Sequence, residues 1–282
     1  MKKSFTLIEI LVVIIVVGIL SSFIIVGMSS ITNNANIAKS KAFSDSLKNS
    51  LMMNLVSEWK FDLGTTGNTV LASEVIDSWS NKNASLVSSD PVVRDGSDCF
   101  DEKCLEFDSN DYVQFSSYNI NIDEITVEFW MKDLGSTILW YDYLGIHVDA
   151  TTRICFELSS VSPKRFLPVT RLNNVNYDGS VMDIGVGFNH YAISFSKTGN
   201  YRKTYNNGRL IESKVGWPGG YTVSYVRLGD VLASIFVLDT TRIYDSSLSS
   251  FKIENNYYSD LSRFLIKGRI TNQEYLYKLS EL

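Results

Sequence analysis

Residues 125–132 read ITVEFWMK, and this short run decides the class of the fold. Val127, Phe129 and Met131 alternate with Glu128 and Trp130. A period of two is the mark of a half-buried β-strand, because successive side chains on a strand point to opposite faces. Similar short runs lie at Tyr112–Phe115, Thr137–Tyr141, Ile154–Leu158, His190–Ser196, Val223–Leu228 and Ile235–Thr241. Turn signals separate them: Asp-Gly at Asp95 and Asp178, Thr-Gly-Asn at Thr198 and Asn-Asn-Gly at Asn206. Many short strands with regular turns predict an antiparallel two-sheet sandwich or jelly roll.

The chain before Leu55 follows a different rule. Ile31, Ala35, Ala38 and Ala42 recur at helical spacing, and Phe43, Leu47, Leu51 and Leu55 continue at steps of four. Polar residues lie mostly between them, which predicts an amphipathic helix with no proline to kink it. Upstream, residues 1–20 read MKKSFTLIEILVVIIVVGIL. From Phe5 to Met28 the run is almost wholly apolar and carries one charge, Glu9. About 20 apolar residues are what a membrane span needs. Lys2 and Lys3 ahead of it fit the positive-inside rule.

The whole chain has 282 residues, a net charge of -5 and a sequence pI near 5.2. Nothing basic points to nucleic acid. Two histidines leave little material for a zinc site.

The FTLIE run behind a short basic leader resembles the N-terminus of type IV pilins and type II secretion pseudopilins. The resemblance implies cleavage by a prepilin peptidase between Ser4 and Phe5, with N-methylation of Phe5. It also implies that Glu9 guides assembly by pairing with the amine of a neighbouring subunit. Ser4 stands where the family normally has Gly. The implied organisation is a leader over 1–4, a pilin-type helix over 5–54, a β-sandwich over 55–260 and a helical tail over 261–282. The implied precursor is a single-pass protein of the inner membrane, and the assembled form is an extracellular surface filament of pilin subunits.

A second resemblance, to laminin G-like domains, runs from about Leu55 to about Tyr258. It rests on LVSEWKFDLG, VIDSWSNKNASLV, CLEFDSNDYVQF, ITVEFWMK, the His190 hairpin with its Tyr205–Gly208 turn, and FVLDTTRIYDSSLSSFKIENNYYS. It implies a mainly β, concanavalin A-like jelly roll carried on the pilin-type helix. Calcium is common in that family, and Asp77 and Asp239 stand at its acid positions, with Thr240 where a second acid is usual. Phe188 replaces the usual Trp before the hairpin His190. In an oxidising exterior Cys99 and Cys104 would form a disulfide; the other readings are two free thiols or a metal pair. Cys155, between Ile154 and Phe156, reads as a buried small hydrophobe.

Catalytic signals are weak. His147 and His190 are the only histidines, and Glu124 and Glu128 do not form the carboxylate run of jelly-roll glucanases. The expectation is therefore a non-enzyme. Trp79, Trp140 and Trp217 are candidates for stacking on sugars, Trp217 most of all because it lies in the Gly216–Tyr221 loop. Taken together, these readings give a pilin-like filament subunit, minor or at the tip, displaying a binding or adhesion module for a glycan or surface protein. The alternatives are a pseudopilin of a secretion or DNA-uptake system and a membrane-tethered carbohydrate-active enzyme. Thr271 with Glu274 predicts a capping box in the tail.

Overall fold

The computed structural model describes residues 7–8, 10–21, 35, 38–39, 42, 54–108, 110–116, 118–135, 142–161, 164–179, 181–185, 187–217, 219–229 and 235–280. An N-terminal helix, α1, covers residues 10–21. Among the described residues no helix is long and apolar enough to cross a membrane. This finding corrects the expected single-pass membrane localisation. Ser4, Phe5, Glu9 and most of the predicted helix over 5–54 lie outside the described residues.

The remainder is a mainly β structure of two antiparallel sheets. Sheet A contains β3 (Val92–Asp95), β4 (Lys103–Phe107), β6 (Glu124–Asp133), β12 (Asn189–Ser196), β13 (Tyr201–Asn206), β14 (Arg209–Val215) and β16 (Phe236–Tyr244). They run in the order β14-β13-β12-β6-β16-β4-β3, and β1 (Leu55–Trp59) also pairs with β16. The first half of β16 is bonded to β4 and the second half to β1. Sheet B runs in the order β10-β9-β8-β7-β15-β5-β2. Its strands are β2 (Leu86–Ser88), β5 (Tyr112–Ser116), β7 (Asp142–His147), β8 (Arg153–Val161), β9 (Lys164–Leu172), β10 (Val175–Asp178) and β15 (Tyr225–Leu228), and β11 (Met182–Asp183) pairs with β9.

Between the sheets lies an aromatic-rich core. Ile125, Val127, Phe129 and Met131 of β6 all point into it. Trp59 stacks on Phe115 at 4.1 Å, and Phe129 meets Phe156 edge-on at 4.8 Å. The β13–β14 turn places Asn207 (φ 49) and Gly208 (φ 78) both in the left-handed region, as a two-residue hairpin with matched twist requires.

The other face of β6 is also buried, where alternation alone predicts a wet one. The cause is α2 (Ser250–Ile266), which lies across the outside of sheet A. Ile253, Tyr257, Leu261, Phe264 and Leu265 recur at helical spacing and are buried. Tyr257, Leu261 and Phe264 cluster with Trp130, Phe100 and Phe188. Ser249 caps the helix by accepting the Lys252 N–H. A boundary between residues 260 and 261 would fall inside α2. A second helix, α3 (Asn272–Ser280), follows; Thr271 accepts the Glu274 N–H and Glu274 accepts the Thr271 N–H, a complete capping box.

Cys99 and Cys104 are joined by a disulfide, with their Cα atoms 5.4 Å apart. Both pack in the cluster beneath α2. Closing so short a loop should contribute about 2 kcal/mol. The double substitution Cys99→Ser/Cys104→Ser should therefore lower the unfolding free energy by about 2 kcal/mol in a denaturant titration.

Candidate binding face

The residues that the sequence singled out fall in three different places. His190, Arg242 and Tyr244 belong to a buried polar network between sheet A and α2. Arg242 is its centre. Its guanidinium donates to Glu58 (2.9 Å), Glu128 (3.2 Å) and both carboxylate oxygens of Asp260 (2.9 and 2.7 Å). Tyr244 and Asn256 donate to Glu128, and Trp130 Nε1 donates to Asp260 at 2.8 Å. Burial opposes charge on these acids, but Arg242 overcomes it and holds Asp260 well below the usual carboxylate range and Glu58 at about 2. His190 is fully buried, 3.6 Å from Glu128 and packed beside Trp130. Most of the network's members are buried: Glu128, His190, Tyr244, Asn256 and Asp260 are at most 2% exposed. The network fastens the helix.

Asp239 and Asp77 are loop anchors. Asp239 accepts the backbone N–H groups of Phe100, Asp101 and Thr240 at 2.7–2.9 Å, which ties the disulfide loop to β16. Asp77 accepts the N–H groups of Glu58, Trp79 and Ser80 and the Ser80 hydroxyl. Neither belongs to a group of three potential metal ligands among the described residues. The donors already gathered around both acids do not suit a calcium shell of six or more oxygens. Asp142, Cys155 and Glu157 do lie within 4.8 Å of one another. Arg153 sits 3.0 Å from Asp142 and 3.6 Å from Glu157, however, so a guanidinium already supplies the counter-charge there. Burial pushes the Cys155 thiol up, with both acids adding to the effect, which disfavours the thiolate.

Trp217 is corrected as a stacking residue. It is 3% exposed, packs on Phe195 at 4.4 Å and donates its indole N–H to Ile122 O at 3.0 Å. It closes the core. Trp140 lies outside the described residues, and Trp79 is exposed.

The arrangement best suited to a ligand is one that sequence reasoning missed, on the outer face of sheet B. In β15, Val226 and Leu228 enter the core while Tyr225 and Arg227 alternate with them. Tyr225 pairs with His147 and Ser116, and Arg227 with Gly145 and Gln114. His147 pairs in turn with Arg153, and Asp142 with Glu157. One face therefore carries Tyr112, Gln114, Tyr225, Arg227, His147, Arg153, Asp142 and Glu157. His147 stacks on Tyr225 at 4.4 Å with the planes 10° apart. Arg227 lies 4.4 Å over the Tyr112 ring and donates to Gln114 at 2.8 Å. Gly145 makes room for this stack, since a Cβ there would sit 2.5 Å from His147 Nε2. Burial, with Arg153 and Arg227 nearby, pushes His147 down to about 3, so its ring is neutral at physiological pH. Tyr112, Gln114, Tyr225, Arg227 and Arg153 are half-buried, and Asp142, His147 and Glu157 form a deeper floor. Flat rings beside fixed donors and acceptors suit a ligand with both apolar C–H faces and hydroxyl groups.

No protein-family model and no characterised protein sequence matches the chain. Solved structures do match in fold. The binding domain of Paraclostridial Mosquitocidal Protein 1 superposes with a TM-score of 0.55 at 17% identity, over 73% of this chain and 52% of that one. Domain 4 of AbnA, a GH43 extracellular arabinanase from Geobacillus stearothermophilus, solved with arabinotriose, gives 0.57 at 17% identity, over 72% and 97%. The botulinum neurotoxin serotype D binding domain gives 0.59 at 14% identity, over 75% and 53%. The chain spans about half the length of the toxin binding domains and nearly all of the arabinanase domain. At these identities the likeness is one of fold: a jelly-roll-like sandwich of the kind found in binding domains.

Two consequences of the network can be measured. Asp260→Ala leaves Arg242 short of its bidentate partner in a buried site and should lower stability by about 3–5 kcal/mol in chemical denaturation. The second concerns Asp239, which burial, with Asp101 close by, pushes up to about 7. Between about pH 4 and that value the folded chain holds a proton that the unfolded chain has lost. Stability from this group therefore falls as pH rises through the window and is level above it. The melting temperature of wild type should lose ground to that of Asp239→Asn as pH rises from about 4 to about 7.

Proposed function

We propose that the sandwich is a carbohydrate-binding module whose site is the outer face of β5, β15, β7 and β8. The observation that carries this reading is the Tyr225–His147 stack beside the Tyr112–Arg227 pair, on a half-buried sheet face whose floor holds Asp142 and Glu157. Sugars present C–H faces to rings and hydroxyls to carboxylates and guanidinium groups, and this face offers all three. Support also comes from the arabinanase domain, solved with arabinotriose, and from a matching structure whose description reports botulinum neurotoxin type C entry through two ganglioside molecules. Asp142 and Glu157 are held by Arg153 and serve here as acceptors, not as an acid–base pair.

The N-terminal segment gives the module its setting. We read it as a pilin-like assembly helix, cleaved between Ser4 and Phe5, with Glu9 pairing with the amine of the next subunit. Leu11, Ile14, Val17 and Leu20 of α1 are all exposed, as are the apolar residues between them. A helix apolar on every side is one that other helices must cover. Sister subunits packing along this segment would do so and would array the sandwiches along a filament.

Tyr225→Ala should weaken binding of a neutral oligosaccharide by about 1–3 kcal/mol, the usual loss for an aromatic anchor. Isothermal titration with arabinotriose reads this directly. Arabinotriose binding that is unchanged in Tyr225→Ala, or no binding of any glycan on an array, would remove the sheet face as the site.

A further inference from the structure

A small cavity lies where β10 of sheet B meets β13 and β14 of sheet A. Arg202 of β13 reaches across to sheet B and donates to Tyr177 O at 2.5 Å and Asp178 O at 2.7 Å on β10 and to Thr170 Oγ1 at 3.3 Å on β9. It is 7% exposed, and its Nε–H has no acceptor. Among the described residues no carboxylate lies within ion-pair distance of this guanidinium, whereas Arg242 has three. A buried guanidinium bonded only to neutral oxygens carries an uncompensated charge. Burial accordingly lowers its proton affinity, against a weaker pull from Glu212 and Asp178.

The group sits in a cavity of about 120 Å³, the space of roughly four liquid waters. Leu172, Trp217 and Thr170 wall it, and Lys214, Val215 and Tyr177 stand at its mouth. The mouth faces solvent: Val215 is 83% exposed and Tyr177 48%. Lys214 divides its ammonium between Asp178 O at 2.9 Å and Glu212 at 3.1 Å. Asp178 also lines the cavity, on the exposed side, and both cations hold it by its backbone carbonyl.

We propose that this cavity is an anionic subsite that takes the carboxylate of an acidic sugar. The carboxylate supplies the counter-charge that Arg202 lacks, with Lys214 beside it at the mouth, and the sugar ring rests at the Trp217–Tyr177 wall. The volume suits a carboxylate and the ring edge bearing it better than a whole oligosaccharide. This inference rests on the sandwich being a sugar-binding module, but it uses none of the residues of the sheet B face. A ligand with a neutral stretch and an acidic unit would use both sites.

Glucuronate is the probe, with glucose as the neutral control and inorganic sulfate as the ringless oxyanion, titrated into the full chain by calorimetry. Glucuronate should bind and glucose should not. Lys214→Glu alters an exposed residue, so the fold should survive, and it should weaken glucuronate at least tenfold. Arg202→Gln, if it folds, should abolish binding. Glucuronate no tighter than glucose, binding unchanged in Lys214→Glu, or sulfate as tight as glucuronate would each overturn the proposal. Arabinotriose binding without glucuronate binding sinks this subsite and leaves the sheet face standing. Glucuronate binding without arabinotriose binding supports the subsite while the sheet-face reading fails.

Discussion

Arg242 joins four parts of the chain through one guanidinium: β1 by Glu58, β6 by Glu128, α2 by Asp260, and its own strand β16. Burying so many charges is costly, and the geometry must be close to ideal to offset it. Here the Asp260 contact is bidentate, and Tyr244, Asn256 and Trp130 satisfy remaining oxygens of Glu128 and Asp260. The network fixes where α2 sits on sheet A. Once α2 is fixed, Trp130, Phe100, Phe188 and Phe264 have a dry space to fill, and Arg263 and Lys267 reach Asp101 in the disulfide loop. Replacing the centre would loosen the helix, the loop and the outer core together.

This covering of one sheet assigns the two faces different work. Sheet A is closed by α2 along its centre, so its polar residues hold structure. The outer face of sheet B keeps half-buried rings and charges at its rim, so its polar residues are available to a ligand. The two histidines illustrate the difference. His190 is sealed beside Trp130 and Glu128, whereas His147 is stacked on a half-buried Tyr225 and held neutral by burial and two arginines. A neutral ring contributes a flat surface without a charge to desolvate.

Much of the sandwich was legible from alternation, since inward positions such as Val127, Phe129 and Met131 are strongly apolar. Alternation could not show that Glu128 and Trp130 are also buried, because the helix that covers them lies more than 100 residues away. Strand β9 went unseen because Pro168 interrupts KRFLPVTRL; the strand tolerates it at a place where Gly179 N–H bonds to the Pro168 carbonyl. Trp217 was misread because glycines and a proline mark a turn but do not say which way its indole points. The binding face was readable in part. RICFE and YVRL alternate apolar with polar or ring-bearing residues, DYLGIH does so only after a register shift at Tyr143, and only the pairing of β7, β8 and β15 brings the outward set together. The resemblance to laminin G-like domains pointed to Asp77 and Asp239, which are positions that anchor loops.

The central claim is that one face of sheet B binds sugar. Chemical-shift mapping on isotopically labelled protein during an arabinotriose titration tests it most directly. Perturbations gathered on Tyr112, Gln114, His147, Arg153, Tyr225 and Arg227 are the predicted result. Shifts confined to sheet A and α2, or no shifts at saturating sugar, would contradict it.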